Sequence, residues 1–416
     1  MNALELHPVD TLFFRDARPM EAGAGSGGHG ANWPLPPVAH SALRLALLAK
    51  AGQVKDKRED KGHHRYDRTT KKQINNSMIF TEAFRSLRTI GPFPARAGKV
   101  YLPRPMDLVP AGDRDCALLQ PVAGRYGESN LPVTWLHPVM APGRAGKRQL
   151  PEWISVENYC RTLEGHAPDQ LEAVRVAESE HRVGIEIDDD TNTTVEGRLY
   201  TAEHLRLAEG CSLWLQASLS ERAASENHGL GIHDLRGSLL PLGGEGRMVR
   251  CEESAAGLNV PRPAGGPMVK WVLVSHAVFM GGWRPSWVDE QTGRVLLKAG
   301  DTQRQGEDRR AWQERVRAMP GIRARLVAAC IAKPVHFSGW DQGEQGPKPT
   351  MAAVPAGAVY YFHAESPEEG RLLIEALHGR TRSDFLGEKG MGLGYCGSWT
   401  PVDVAGRPAA GESINW

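Results

Sequence analysis

The fold is decided near the N-terminus by three neighbouring pieces of sequence: DTLFFRDARP at residues 10–19, GAGSGGHG at 23–30 and WPLPP at 33–37. Apolar residues that precede the RDAR run predict a strand over residues 4–14. The glycines predict a loop whose bare backbone amides can approach another molecule closely. Proline is tolerated in the first helical turn, so the sequence predicts a helix over residues 37–50. Strand end, loop and helix start should meet at one end of a sheet.

This arrangement would form a cradle for phosphate groups. Four basic side chains would join the backbone amides there: Arg15, Arg18, His29 and Arg44. The loop has no Walker lysine after its glycines, and it is too long for a GxGxxG fingerprint. A plain connection between strand and helix therefore stays open as the alternative.

The length and composition are those of a globular chain that is long enough for two domains. Of 416 residues, 41% are hydrophobic and 24% are charged, and the formal net charge is +1. No overall basic field exists, so any nucleic-acid contact must come from local patches. The six cysteines contain no CxxC pair, which argues against a zinc ribbon and against a disulfide scaffold. Because we see no signal peptide or spanning segment, we expect a cytoplasmic protein without membrane contact.

Both halves of the sequence are predicted to follow the order β-α-β-β-α-β, the ferredoxin-like split motif. In the first half we expect strands at 4–14, within 79–103, within 182–219 and at 247–252, and helices at 37–50 and 229–240. In the second half we expect strands at 269–279, 325–337, 357–364 and up to Trp399, and helices at 308–317 and 366–377. The predicted fold class is α+β, with two ferredoxin-like (RRM-like) domains, residues 1–256 and 257–416, and long loop insertions.

The connections between these elements are unusually long. A proline- and glycine-rich linker is predicted over residues 255–267. A charged loop at 52–75 and a loop-rich stretch at 110–180 interrupt the first domain. The second stretch is predicted to carry a short helix at 171–176 but no core of its own.

Each half has a further glycine-rich loop between its second helix and its last strand, at residues 243–247 and 387–394. Such loops beside a sheet let an extended nucleic-acid backbone lie close to the protein, where Arg247 and Lys389 can neutralise phosphates. The equivalent positions of the two loops favour this interpretation more than either loop does alone.

Aromatic side chains offer faces on which bases could stack. The candidates are Trp33, Trp283 and Tyr395, and a place in the core is the alternative for each. The aromatic signature of RNA-recognition motifs is missing, so base readout on a sheet face is not predicted.

Candidate catalytic groups are few. No GxSxG, HExxH or Cys–His signature occurs in the sequence. His29, together with Tyr66 or Lys50, is the candidate general base for metal-independent RNA cleavage. The aspartates at 188–190 belong to a predicted turn and lack EF-hand spacing, so no metal site and no cofactor are expected.

The quoted pieces resemble a known family, that of the third Cmr subunit of type III-B CRISPR effector complexes, which belongs to the RAMP superfamily. The resemblance begins with the opening motif, in which Ala17 stands where the commoner pattern has glycine. It continues through VYLPRPMDLV at 100–109, RVGI at 182–185, LYT at 199–201, LGGEGR at 242–247, GGWRP at 281–285 and the glycine loop at 387–394.

The resemblance implies a non-catalytic subunit with two ferredoxin-like domains that holds the 5′ handle of the crRNA. Its implied protein partners are the large polymerase-like Cmr subunit and the neighbouring backbone RAMP subunit. A RAMP-type endoribonuclease that processes repeat RNA remains the alternative, with His29 as its base. The RNA-binding residues expected from the loops, the aromatics and the resemblance are Arg15, Arg18, Gly27, Gly28, His29, Trp33, Arg44, Gly243, Gly244, Arg247, Trp283, Lys389, Gly390, Gly392 and Tyr395.

Overall fold

A computed structural model of the chain describes residues 2–16, 31–53, 83–112, 115–123, 131–188, 191–227, 229–301, 307–341 and 346–409. Its architecture is mixed α/β, with mainly antiparallel sheets and few helices. The strands of the first half are β1 (Asn2–Pro8), β2 (Arg88–Arg96), β3 (Lys99–Pro103), β4 (Leu108–Pro110), β5 (Cys116–Leu118), β6 (Gln120–Pro121), β7 (Val139–Met140), β8 (Trp153–Ser155), β9 (Ala177–Ile187), β10 (Thr194–Leu207), β11 (Cys211–Ser218), β12 (Leu239–Pro241) and β13 (Met248–Glu253). Those of the second half are β14 (Met268–Leu273), β15 (Ala324–Cys330), β16 (Val335–Phe337), β17 (Trp340–Asp341), β18 (Gly346–Pro347), β19 (Met351–Ala353), β20 (Val359–Ala364), β21 (Arg380–Thr381) and β22 (Leu393–Ser398).

Local sequence signals explain where the helices begin. The described α-helices are α1 (Pro36–Lys50), α2 (Val156–Leu163), α3 (Glu221–Glu226), α4 (Arg309–Ala318) and α5 (Pro367–Leu377). Two prolines open α1, and Leu43 and Leu47 are fully buried on its inner face. The Ser366 hydroxyl caps α5 by accepting a hydrogen bond from the Glu369 amide at 3.3 Å. The helices predicted at 37–50, 308–317 and 366–377 are thereby confirmed.

Two antiparallel sheets carry the fold. The first contains seven strands in the order β12-β13-β1-β11-β2-β3-β8, and the second contains five in the order β15-β20-β14-β22-β21. In the first sheet the opening strand β1 lies between β13 and β11, and β2 follows β11, which gives the order β13-β1-β11-β2. In the second sheet the opening strand β14 lies between β22 and β20, and β15 follows β20, which gives the order β22-β14-β20-β15. The two sheets therefore share this strand order.

A common core joins one face of each sheet. Phe93 and Trp214 from the first sheet belong to the same buried cluster as Val272 and Tyr361 from the second. Helix α2 lies within this cluster, and its Tyr159 hydroxyl donates to the Val272 carbonyl at 3.2 Å. The opposite faces pack separately, against α1 in the first half and against α5 in the second. The faces that an isolated four-stranded sheet would leave open are thus interior surfaces.

The segment predicted as an insertion contributes to this common core. Leu108, Cys116, Leu150 and Leu171 are all buried in it, and β8 extends the first sheet. The predicted helix at 171–176 is wrong. The helix forms at Val156–Leu163 instead, because Ser155 caps it and Tyr159 anchors it in the core.

The predicted helix at 229–240 is also wrong. A single 3-10 turn spans Ile232–Leu235, and the chain then extends into β12. Gly237, with φ of +71°, ends the turn, since the glycine adopts a conformation that cannot continue a helix. The short helix α3 precedes this turn.

The strand predicted at 4–14 ends at Pro8. Leu12 then pairs with Leu205 of β10, so the chain leaves the first sheet and joins a hairpin. That hairpin, β9 with β10, is a separate two-stranded sheet, and from the 182–219 region only β11 enters the central sheet. Its turn was predicted correctly at Asp188, whose carboxylate accepts from the Thr191 amide at 2.8 Å.

The predicted linker at 255–267 packs against the body of the protein. Ala256 and Val260 are buried in the common core. The Trp214 indole donates to the Ala256 carbonyl at 3.0 Å, and the Val260 carbonyl lies 3.1 Å from the His378 ring. The strands predicted at 269–279 and 325–337 are shorter than expected, since the first ends at Leu273 and the second divides into β15 and β16.

Candidate nucleic-acid interface

A cleft of about 920 Å³ lies between the two halves. One wall comes from the start of α1 and the middle of β2, and the other from the chain after β14 and from β16. The lining segments are 31–36, 91–93, 103–106, 148–153, 274–276, 335–337 and 355–356. Because both sheets border it, the cleft exists only where the two halves meet.

Three arginines line this cleft. Arg15 is exposed, Arg104 is half-buried, and Arg148 pairs with Asp115 at 2.6 Å while more than half of its side chain stays exposed. Burial lowers the pKa of the Arg104 guanidinium, which still carries its charge at neutral pH. The cleft thus combines three cations with two acidic residues, Asp16 and Glu152.

Trp33 forms part of the cleft wall. Its indole nitrogen donates to the Pro92 carbonyl at 2.9 Å, and its ring centroid lies 5.2 Å from that of Trp153. The ring is half-buried. Trp33 and Arg15 line the same cleft, and the role of Trp33 as a face for a base stays a prediction.

A basic rim adjoins the cleft at the start of α1. Thr89 of β2 bonds both the His40 ring, at 3.2 Å, and the Lys389 carbonyl, at 3.2 Å. Arg44 follows His40 by one helical turn, and Arg88 precedes Thr89. Burial, together with the nearby Lys389, Arg44 and Arg88, lowers the pKa of His40 to about 3. We call Arg44, Arg88 and Lys389 the basic rim.

The closing glycine loop is what brings Lys389 to this place. Gly390 adopts φ of +95°, and a Cβ on it would lie 2.7 Å from the Thr89 carbonyl oxygen and 3.3 Å from Pro36. Gly390 and Gly392 also bond the cleft wall, since Ser275 donates to the Gly390 carbonyl and the Gly392 amide donates to the His276 carbonyl. Gly390 therefore serves close packing between the halves, and Gly392 serves packing within the second half.

The other glycine loop packs against the first half. A Cβ on Gly243, whose φ is +84°, would lie 2.4 Å from the Phe13 carbonyl oxygen, and the Gly244 amide donates to the same oxygen at 2.8 Å. Arg247 is held by Asp10 and Glu245, each at 3.4 Å. This loop thus fixes the end of the opening strand, and its arginine is engaged with carboxylates.

Acidic side chains also pair with arginines at the base of the β9–β10 hairpin. Hydrogen bonds from Arg182 and Arg206 lower the pKa of Asp10, and hydrogen bonds from the same two arginines lower the pKa of Glu180 to about 2. His204 stacks on Phe13 and lies 3.2 Å from Glu245, and its burial lowers its pKa. This end of the molecule is a balanced ion-pair network.

The structure does not bring Trp283 and Tyr395 into the cleft. The Trp283 ring packs 6.4 Å from Trp135, and its carbonyl accepts from Tyr360. Tyr395 is 7% exposed and packs edge-on against Tyr159 and His378. Both positions match the core alternative considered for these aromatics.

Four predicted site residues, Arg18, Gly27, Gly28 and His29, lie outside the described residues, as does Tyr66. Asp16 and Ala31, which flank that segment, both line the cleft. Sequence reasoning missed Arg88, Arg104 and Arg148. Arg104 could have been found from the sequence, because it lies in the 100–109 motif that carries the family resemblance.

No group of three or more histidine, cysteine, aspartate or glutamate side chains in the described ranges is arranged to hold a metal ion. No helix among the described residues combines the length and the apolar run needed to cross a bilayer.

Comparison with known proteins identifies the family. The family model described as CRISPR-associated protein (Cas_Cmr3) matches residues 4–399, so the chain belongs to that family. The resemblance to the third Cmr subunit of type III-B CRISPR systems, within the RAMP superfamily, is thereby confirmed. No curated protein matches the sequence.

Solved structures of CRISPR complexes contain similar chains. One belongs to a cryo-EM structure of Type III-B Cmr-beta bound to cognate target RNA and AMPPnP, with a TM-score of 0.45 and 13% identity over 86% of each chain. Another belongs to a Csm3-Csm4 subcomplex of the type III-A interference complex, with a TM-score of 0.34 and 10% identity over 88% of this chain and 98% of that chain.

Proposed function

We propose that this protein is a non-catalytic RNA-binding subunit of a type III-B CRISPR effector complex, and that it holds the 5′ handle of the crRNA. The observation that carries the proposal is the cleft of about 920 Å³ between the halves, lined by Arg15, Arg104, Arg148 and Trp33. A groove with cations for phosphates and an aromatic face for a base suits single-stranded RNA.

The RNA backbone follows the cleft toward the basic rim. Pro36 borders the cleft and packs close to Gly390, the residue after Lys389, which supports a path from the cleft to the rim. Each half contributes to it, Arg44 and Arg88 from the first and Lys389 from the second. Arg18 and His29, from the opening glycine-rich segment, remain proposed RNA contacts.

The fold is two ferredoxin-like units, residues 1–256 and 257–416, with long insertions. The strand orders β13-β1-β11-β2 and β22-β14-β20-β15 support this division, because each matches the 4-1-3-2 order that the split β-α-β-β-α-β motif produces. Helix α4 departs from the motif, since none of its described side chains is buried. Because one face of each sheet lies in the common core, RNA is bound at the junction of the units and not on a sheet face.

The protein partners in this proposal are the large polymerase-like Cmr subunit and the adjacent backbone RAMP subunit, in the cytoplasm. Membership of the Cas_Cmr3 family supports a place in such a complex. The near-zero net charge of +1 fits a protein that gives much of its surface to protein neighbours and only one groove to RNA.

Crosslinking of the full chain, alone and with its complex partners, to a crRNA labelled in the handle tests the proposal. We expect linked peptides from residues 31–36, 148–153 and 387–392, with the RNA left uncut. Cleavage of repeat RNA by the protein alone, abolished by His29→Ala, would instead establish the endoribonuclease alternative. Absence of crosslinks in both settings would overturn RNA binding at this cleft.

A further inference from the structure

Arg104 is a cleft arginine that no carboxylate pairs with among the described residues. Its Nε donates to the Pro151 carbonyl at 3.1 Å and its Nη1 donates to the Leu108 carbonyl at 2.5 Å. Within the described chain Nη2 has no hydrogen-bond acceptor, and Arg104 is one of the residues that line the cleft. Two carbonyls therefore fix the orientation of this cation, and the nearby Glu152 and Asp107 carboxylates favour its charged form.

A buried ion pair lies at the far end of the same turn. Lys270 Nζ of β14 lies 2.9 Å from Asp107 Oδ2, and both side chains are almost completely buried. The Tyr361 hydroxyl of β20 lies 3.1 Å from the same oxygen and 2.9 Å from the Leu119 carbonyl. Removing two charges from water is costly, so apolar side chains of similar size would give the fold at least as much stability. The pair therefore needs a reason other than stability.

Backbone contacts connect the ion pair to Arg104. Asp107 immediately precedes Leu108, whose carbonyl holds the guanidinium. The Met106 amide donates to the Gly357 carbonyl at 2.8 Å, and a Cβ on Gly357 would lie 2.5 Å from the Arg104 carbonyl oxygen. The turn over residues 104–108 is thus held against the second half by the Gly357 contacts and by the Lys270–Asp107 pair.

We propose that Arg104 binds an RNA phosphate in the cleft, and that the Lys270–Asp107 pair is the positioning device that aims it. This inference rests on the proposed function, because it names a further contact of the same site. A fixed guanidinium suits phosphate better than a mobile lysine does, since its donors lie in a plane and keep their direction. The ion pair supplies a direction-specific anchor that apolar packing does not.

Binding of a fluorescein-labelled, repeat-derived crRNA to the full chain tests both parts. Arg104→Gln should weaken binding about tenfold and reduce the slope of log affinity against log salt by about 0.7, the value for one phosphate contact on a single strand. Arg222→Gln is the matched control, because this exposed arginine pairs only with Glu226 and lies outside the cleft. Equal affinity of Arg104→Gln and parent would overturn the contact.

The positioning role is tested with Asp107→Leu/Lys270→Met, which replaces both charged side chains by apolar ones of similar shape. We expect cooperative unfolding at or above the parent temperature together with about fivefold weaker binding. Tyr361→Phe, which removes one hydrogen bond to Asp107, is the milder second variant and should weaken binding about twofold.

The decisive measurement combines the changes. If the ion pair acts through Arg104, the triple variant Arg104→Gln/Asp107→Leu/Lys270→Met should bind as Arg104→Gln does, because the two effects share one contact. Independent losses that multiply would overturn the positioning role, as would parent affinity in Asp107→Leu/Lys270→Met. Failure of the parent protein to bind the crRNA would instead contradict the proposed function itself.

Discussion

The Thr89 hydroxyl lies 3.2 Å from the Lys389 carbonyl oxygen, which joins the second strand of the first half to the closing glycine loop of the second half. The same hydroxyl bonds the His40 ring on α1. Three distant parts of the sequence therefore converge at one threonine, directly beside the cleft. These contacts of Thr89 hold Lys389 near Arg44 and Arg88, and so form the basic rim.

Gly390→Ala should open the junction. The new Cβ would lie 2.7 Å from the Thr89 carbonyl oxygen, and φ of +95° adds backbone strain, so we expect a loss of at least about 2 kcal/mol of unfolding free energy. Gly98→Ala is the matched control, since its φ of +73° carries strain but no atom lies within 4 Å of the new Cβ. Urea unfolding of both variants measures the difference. Equal losses would show that the close approach to Thr89 contributes nothing.

Acid should weaken the junction through His40. In the folded protein its pKa is about 3, and in the unfolded chain the ordinary value of 6.5 applies, so the unfolded chain binds the proton first as the pH falls. The contribution of neutral His40 is complete above pH 6.5 and decreases below it, by about 2 kcal/mol at pH 5.

His40→Gln provides the comparison, because its amide keeps a hydrogen-bonding group near Thr89 but does not titrate. Urea unfolding at pH 7 and pH 5 should show a smaller loss for the variant than for the parent. An identical pH dependence in both proteins would mean that His40 is protonated as readily in the fold as in water.

Charge at the rim should control the salt dependence of RNA binding. Lys389→Gln and Arg44→Gln should each weaken crRNA binding by about tenfold or less and lower the salt slope by about 0.7. Arg247→Gln should leave the slope unchanged, because Arg247 already pairs with Asp10 and Glu245. Fluorescence anisotropy across a salt series measures all three. A lowered slope in Arg247→Gln would place RNA on the other glycine loop.

The two tryptophans predicted as base platforms should behave differently. Trp33→Leu removes an aromatic face from the cleft and should weaken crRNA binding about fivefold, the low end of the range for one stacked base. Trp283→Leu should leave affinity within about twofold, since Trp283 packs against Trp135 outside the cleft. Melting temperatures of both variants control for loss of fold. Equal effects on affinity would contradict the position assigned to the cleft.

Local signals were sufficient for much of the fold. Proline and serine at the helix starts located α1 and α5 to within a residue. The 229–240 segment misled because its apolar spacing resembled a helix, whereas its glycines and Pro241 permit only one turn before a strand. Hydrophobic periodicity cannot distinguish a helix from a strand here, because pairing of β12 with β13 determines the structure of the segment.

The candidate site was predictable only in part. Arg15 and Trp33 line the cleft, and Arg44 and Lys389 lie near His40, while their RNA-binding roles stay predictions. Tyr395 is interior because Tyr159 of α2 packs against it. The sequence predicts the helix of that segment at residues 171–176, so this contact could not be anticipated. Single-sequence patterns carry no information about such long-range packing, and for the same reason they could not show that the two sheets share a core.

The common core also has a consequence for biosynthesis. A nascent chain that has emerged from the ribosome as far as residue 256 has made Phe93 and Trp214 but not Val272 or Tyr361, which complete the same apolar cluster. The first unit must therefore wait, partly uncovered, for the second. We expect truncations near residue 256 to depend on chaperones and to precipitate when these are limiting.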